Sequence, residues 1–316
     1  MALNKRTTDS NASDGWIYSA SMRNPISLYR GLPRDIYVLF FAEVVNALGN
    51  FVHPFLTLLL TQKVGYSAAE AGQFILLASI SFVPGSLIGG KLADTWGRKP
   101  VMIFAFTLAA ASYLVCGTLD DFRLIPFFII PAQLAMGMLD PTIQALTADR
   151  TTPENRQAAY SLIYLGHNVG FAAGPVIAGF LFRDHTRLLF LGDAATSLVA
   201  VTLIFFFARE SRPSKSEIDA IGAERPREAG ETGTVLGVLV RRPVLLVFMI
   251  ASVAMTFVYA QFTFAMPLHM ELVFGERGPQ LYGFLMTANA LIVVALTAPL
   301  VSFTKRWRPI LIVAIS

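Results

Sequence analysis

Eight times in 316 residues the chain runs for about twenty residues with almost no charge. The hydrocarbon core of a bilayer is roughly 30 Å thick, and a helix rises about 1.5 Å per residue, so about 20 apolar residues cross it. The runs occupy 36–62, 71–91, 101–119, 124–147, 159–182, 187–208, 243–268 and 281–303; a ninth begins near Pro309, and Ser316 falls inside it. Backbone crossing lipid must satisfy its own hydrogen bonds, so each run is predicted to be a helix. Composition agrees: 54% of the residues are apolar and 15% charged, against about 25% charged in an ordinary soluble domain. The mean hydropathy is +0.57. Neither a disordered chain nor a soluble fold of this size carries so much apolar surface. The single cysteine, Cys116, excludes a disulfide framework or a thiolate metal cluster within the chain. The expected fold class is all-α, a polytopic membrane helical bundle.

The placement of charge sets the expected topology. Residues 1–35 are polar, without a short apolar stretch and cleavage site, and read as a cytoplasmic tail. Counted on alternate sides of the spans, 20 of the 25 Lys and Arg residues fall on the side of this tail. The other side holds Lys63, Arg123, Arg183, Arg187 and Arg277. Such a bias places the tail side in the cytoplasm, so the net charge of +4 needs no nucleic-acid partner. The one long polar loop, 209–242, reads as a cytoplasmic linker. It divides a six-helix bundle, 36–208, from a partial second bundle, 243–316, with helices 7, 8 and the start of 9. A faint repeat spans this division. Gly65-Tyr66-Ser67, Gly72 and Arg98-Lys99-Pro100 are echoed by Gly275-Glu276-Arg277, Gly283 and Arg306-Trp307-Arg308-Pro309. Repeated halves of this kind are a transporter signature and predict twelve helices, of which this chain carries about eight and a third.

The strongest local motif is Gly90-Lys91-Leu92-Ala93-Asp94-Thr95-Trp96-Gly97-Arg98-Lys99-Pro100, between spans two and three. Its glycines permit a tight turn, and its carboxylate and cations suit either a latch between moving parts or an ordinary basic turn. The stretch resembles the signature between helices two and three of the major facilitator superfamily, with Thr95 where that family usually has a cation. The resemblance covers the chain from about residue 36 and implies two six-helix bundles, a central cavity and alternating access. It also implies that Asp149 joins Asp94 and Arg98 in a cytoplasmic gate with Gly90, Gly97, Lys99 and Arg156. In span five, Gly170, Gly174, Pro175 and Gly179 form a small-residue packing face with a bend at the proline. That run resembles the helix-five motif of drug/proton antiporters, which implies export. The arginine that such antiporters often carry in helix four is replaced by Gln133. The same helix carries Asp140-Pro141, a pairing seen in a multidrug-export branch.

Ionisable groups at membrane depth are costly and so are functional candidates. Glu43 lies about 10 Å into the first span, among apolar neighbours, and Asp140 sits at a similar depth in span four. An acid there that exchanges a proton is what a coupling site requires. Each is also explained as a carboxylate satisfied by a neighbouring helix. Asn46, Gln133 and Tyr259 are candidates to line a substrate cavity. His53 and His167 read as packing residues, and Asp193 as a hydrated group near the outer surface or a partner of Arg187. No metal-ligand spacing and no phosphate loop occurs in the sequence. No cofactor, metal or enzymatic activity is expected. The expected activity is proton-coupled export of drugs or amphipathic small molecules by a monomer in the cell membrane, the bacterial inner membrane. The alternatives are a facilitator of a sugar, organic anion or other metabolite, and a truncated chain inactive alone.

Overall fold

The structure is a computed structural model that describes residues 25–214 and 243–304. Ten α-helices follow one another among the described residues: α1 (Arg34–Leu48), α2 (Val52–Leu58), α3 (Ala68–Trp96), α4 (Arg98–Thr118), α5 (Ile125–Arg150), α6 (Pro153–Phe171), α7 (Gly174–Leu181), α8 (Thr186–Phe207), α9 (Pro243–Phe274) and α10 (Gly278–Thr304). Together they form seven stretches long and apolar enough to span a bilayer. The last, Met249–Val301, has 53 residues, roughly 80 Å as a straight helix and too long for one crossing. It folds back at the 3-10 turn Gly275–Arg277 into α9 and α10. The expected ninth span, the first 24 residues of the tail and most of the linker lie outside the described residues.

Two expected spans are interrupted. The first is broken between Leu48 and Val52, giving α1 and α2, and α2 winds on into a π-helical turn, Leu59–Val64. The fifth was expected to bend at Pro175. It breaks earlier, at Ala172–Ala173, and Pro175 opens α7 in its first turn, where its missing N–H costs nothing. Both breaks are capped from other helices. The Asp193 carboxylate on α8 accepts the Val52 N–H at 2.9 Å. The Thr287 hydroxyl on α10 donates to the Ala172 carbonyl at 2.7 Å. Asp193 is therefore a buried helix cap, not the hydrated or Arg187-paired surface group expected.

Small residues bring the helix backbones together. A Cβ on Gly166, Gly170 or Gly174 would meet the carbonyl oxygen of Phe40, Val44 or Leu48, so α6 and α7 lie directly on α1. Gly85 and Gly89 on α3 meet Leu134 and Met138 of α5, and Gly137 returns the contact to Phe82. Between bilayer-embedded helices, such close approach supplies the packing energy that apolar burial supplies in water. The long polar turn chemistry is local. Ser67 and Glu70 form a capping box at the start of α3, and Thr152 with Asn155 does so for α6. The repeated turns match in backbone as well as sequence: Gly65 (φ 91°) and Gly275 (φ 53°) both adopt the left-handed region that other residues avoid.

Candidate functional site

Two polar features converge on one face of α6. Tyr160, Tyr164, His167 and Phe171 recur at helical spacing, and both tyrosines are exposed. At the inner turn of this face His167 stacks on Phe171, with ring centroids 5.8 Å apart. Its Nδ1 lies 3.7 Å from Glu43 Oε2 on α1, and the glutamate side chain is only 13% exposed. At that distance the contact is electrostatic rather than a hydrogen bond, and it becomes an ion pair when the imidazole is protonated. Two turns away, the Tyr160 hydroxyl donates to the Gln144 carbonyl at 3.1 Å. The Gln144 amide donates to Asp140 Oδ2 at 3.2 Å. Asp140 is exposed. Glu43 thus lies beside His167, and Asp140 holds the amide of Gln144, whose carbonyl takes the Tyr160 hydroxyl; His167 and Tyr160 are seven residues, about 10 Å, apart along α6. The two acids form two stations and not one shared pair. Gln133 falls on the same stripe of α5 as Asp140 and is half-buried, as is Asn46 on α1; Tyr259 on α9 is 70% exposed.

At one rim, the turn between α3 and α4 is bound into a charge network. Arg98 is buried. Its Nε donates to Asp149 Oδ2 at 2.9 Å, its NH1 donates to the Ala93 carbonyl at 2.7 Å, and its NH2 lies 3.3 Å from Asp94 Oδ1. Gly97, at φ 112°, joins the two helices without a linker. The space where its side chain would be is taken by the Glu210 carboxylate. That carboxylate accepts the Arg98 and Lys99 N–H groups at 2.9 and 3.1 Å, capping α4 at its positive end. Ser211 donates to Asp149 at 3.0 Å, and Arg212 donates to the Thr95 carbonyl. Nearby, Arg150 Nε lies 2.9 Å from Asp35 Oδ2, and the other Asp35 oxygen accepts the Arg209 N–H. Arg156 donates to Thr151. Gly90 only approaches Pro141, 4.0 Å from the position of an added Cβ.

At the opposite rim, Lys63 Nζ donates to the Arg183 carbonyl at 2.8 Å, and Arg183 Nε donates to the Glu276 carbonyl at 2.9 Å. Arg187 pairs with Asp120 at 2.7 Å. A buried aromatic cluster lies beneath: Phe55 is 5.7 Å from Phe182 and 5.4 Å from Tyr282, centroid to centroid.

A family model for the Major Facilitator Superfamily matches residues 39–316. The chain belongs to the Major Facilitator Superfamily. It is 29% identical over 268 residues to an uncharacterized MFS-type transporter, YqjV, of Bacillus subtilis, covering 81% of this chain and 61% of that protein. It is 24% identical over 289 residues to a Na(+), Li(+), K(+)/H(+) antiporter of Planococcus maritimus, covering 81% of this chain and 66% of that protein. The chain therefore spans under two thirds of the length of these relatives. Among solved structures it is similar to the human organic anion transporter MFSD10, with 18% identity and a TM-score of 0.64 over 87% of this chain and 73% of that one. A D-xylose–proton symporter gives 15% identity and a TM-score of 0.57 over 85% and 68%.

The chain is thus a multi-pass membrane protein with the helical fold of this superfamily. Within that fold, the superfamily turn motif brings Gly97, Arg98, Lys99, Asp94 and Asp149 together, with Arg156 turned onto Thr151. The helix-five motif splits its work. Gly170 and Gly174 face α1, whereas Gly179 faces the backbone of Pro279 on α10, and Pro175 meets Gly283. Sequence reading missed Asp35, Glu210 and the Lys63–Arg183–Glu276 chain, because each acts on a partner more than 90 residues away. His167 was read as a packing residue, and its helical spacing from Tyr160 was the available signal.

Proposed function

We propose that this chain is the larger part of a proton-coupled secondary transporter that exports drugs or other amphipathic small molecules by alternating access. In this reading the Arg98 rim and the N-terminus face the cytoplasm of a bacterial inner membrane, and the transporter works as a monomer. The observation that carries the coupling assignment is the enclosed Glu43 carboxylate beside His167, next to an exposed Tyr160/Tyr164 face. A proton arriving at this pair changes its net charge at membrane depth beside the enclosed Glu43, which biases one conformation over the other. The aromatic face offers flat apolar surface to an amphipathic substrate, and Asp140 offers a second acidic station. Asn46, Gln133 and Tyr259 are assigned to the cavity wall. Asp94, Arg98 and Asp149 act as a brace that holds the ends of α3, α4 and α5 together while the helices rock. The names of the relatives, a cation/H(+) antiporter among them, support a coupled carrier.

Reconstitution tests the coupling. Glu43→Gln keeps the size and hydrogen-bonding capacity of the side chain but removes its exchangeable proton. Export of a fluorescent lipophilic amine driven by a pH gradient is expected to fall at least about tenfold, corresponding to loss of about 1.4 kcal/mol of coupling. Counterflow of the same amine, which needs no net proton movement, is expected to survive. Full gradient-driven export by the variant would sink the assignment, and counterflow of a sugar or organic anion in place of the amine would move the cargo to another class.

A further inference from the structure

Two cross-helix contacts at the Lys63 rim share one geometry that the coupling assignment does not use. Lys63, in the turn after α2, sends its ammonium to the carbonyl of Arg183, just past the end of α7. It also lies 5.5 Å from the centre of the Phe182 ring. Arg183 in turn sends its guanidinium to the carbonyl of Glu276, just past the end of α9. Each cation therefore sits at the carbonyl end of the next helix, where the helix dipole is negative. Two such steps link the first, fifth and seventh spans in series and carry the chain from the first six spans across to α9.

What lies below is sealed. Phe55, Phe182 and Tyr282 are fully buried. The Thr57 hydroxyl donates to the Thr263 carbonyl at 3.2 Å, and Tyr282 donates to the Phe262 carbonyl at 3.2 Å. Phe264 covers Gly72. We propose that Lys63 and Arg183 are a gate: by capping successive helix ends they hold this rim closed over the Phe55–Phe182–Tyr282 plug. The caps themselves are half-exposed, so water replaces each lost hydrogen bond when the rim opens, and the closed state is favoured without being made permanent. The Glu276 carboxylate, 3.5 Å from Arg183 and 90% exposed, adds little, because an ion pair open to water is weak. The backbone carbonyl is the acceptor that matters.

The motion assigned to this gate rests on the alternating-access reading; the closure itself is testable without transport. The 316-residue chain carries Cys116→Ala and a reporter, Ala178→Cys, at a fully buried site one turn before Phe182. A bulky charged maleimide is applied to open membrane fragments, where it reaches both faces. Labelling is expected to be slow in this background and to rise several-fold with Arg183→Ala and with Lys63→Ala. Glu276→Ala is expected to raise it less than either. Unchanged labelling in Arg183→Ala and Lys63→Ala overturns the proposal, and so does an effect of Glu276→Ala as large as that of Arg183→Ala. If Arg183→Ala does not accumulate in the membrane, Lys63→Ala decides alone. Labelling as expected leaves the gate standing whether or not this chain moves substrate, so its outcome is separate from that of the transport reading.

Discussion

Arg98 shows how much one side chain holds at this rim. Its guanidinium serves three acceptors at once: Asp149, the Ala93 carbonyl and Asp94. Asp149 and Arg98 are largely withdrawn from water, whereas Asp94 is 73% exposed, so the Asp149 contact carries most of the electrostatic gain. Removing the cation strands a mostly buried carboxylate, a loss of about 3–5 kcal/mol when a buried pair is broken. Lysine restores the charge but not the fork, since one ammonium on a flexible stem does not reproduce the separate Nε, NH1 and NH2 contacts to three acceptors. Arg98→Ala is expected to lower the melting temperature most, and Arg98→Lys to recover only part of the loss. Thermal unfolding of the purified variants in one detergent checks this, and a lysine variant as stable as the parent would remove the brace. The motif around Arg98 was legible in the sequence because its residues are neighbours. Its completion was not: Glu210 lies 112 residues from Arg98, and nothing in the polar run after the sixth span marks its first acid as a helix cap.

Among the elements, the packing of α6 and α7 on α1 separates glycines that are needed from those that are merely present. A methyl group on Gly170 would stand 2.1 Å from the Val44 carbonyl oxygen, a backbone atom that moves only with its helix. Gly170→Ala is expected to cost about 1–3 kcal/mol, the usual range for overpacking. Gly90→Ala is expected to be neutral or to gain up to about 1 kcal/mol, because its methyl meets nothing closer than 4.0 Å and alanine suits a helix interior. Comparing the unfolding of the two variants tests the contrast, and equal effects would contradict it. The spans themselves were legible, since apolar length alone defines a crossing. Their interruptions were not. The break after Leu48 depends on Asp193, which is 141 residues from the N–H it caps, and the break after Phe171 depends on Thr287, 115 residues from its acceptor. A proline marked the second break to within three residues; the first holds Gly49 and is followed by Pro54, three residues past Phe51.

On the scale of the molecule, the contacts sort the turns onto two rims. Lys63, Arg183 and Glu276 are joined at one rim, and Arg187 ties the start of α8 to Asp120 in the turn after α4. Arg98, Asp149, Asp35, Arg150 and Glu210 are joined at the other. This alternation is the one used in counting charge along the sequence, which assigns 20 of the 25 Lys and Arg residues to the side of Arg98. Positive charge resists transfer across the membrane during insertion, and short loops obey the rule most strongly. An uncleaved reporter that is active only in the cytoplasm is therefore expected to work when fused after Arg209, and one active only outside when fused after Glu276. The decisive manipulation is on the charge itself. Five lysines placed in the turn between α4 and α5, where Arg123 is now the only cation between Leu119 and Leu124, oppose the native bias locally. Because a short loop obeys the rule strongly, a reporter fused in that turn is expected to lose much of its outside activity, while one after Glu276 keeps it, since the remaining loops retain their asymmetry; an unchanged reporter in the turn would contradict the charge argument. Reporters that gave the opposite pattern in the parent chain would reverse both rims. The Arg98 network would then lie on the outside and the Lys63–Arg183 caps on the cytoplasmic side, with every described contact unchanged.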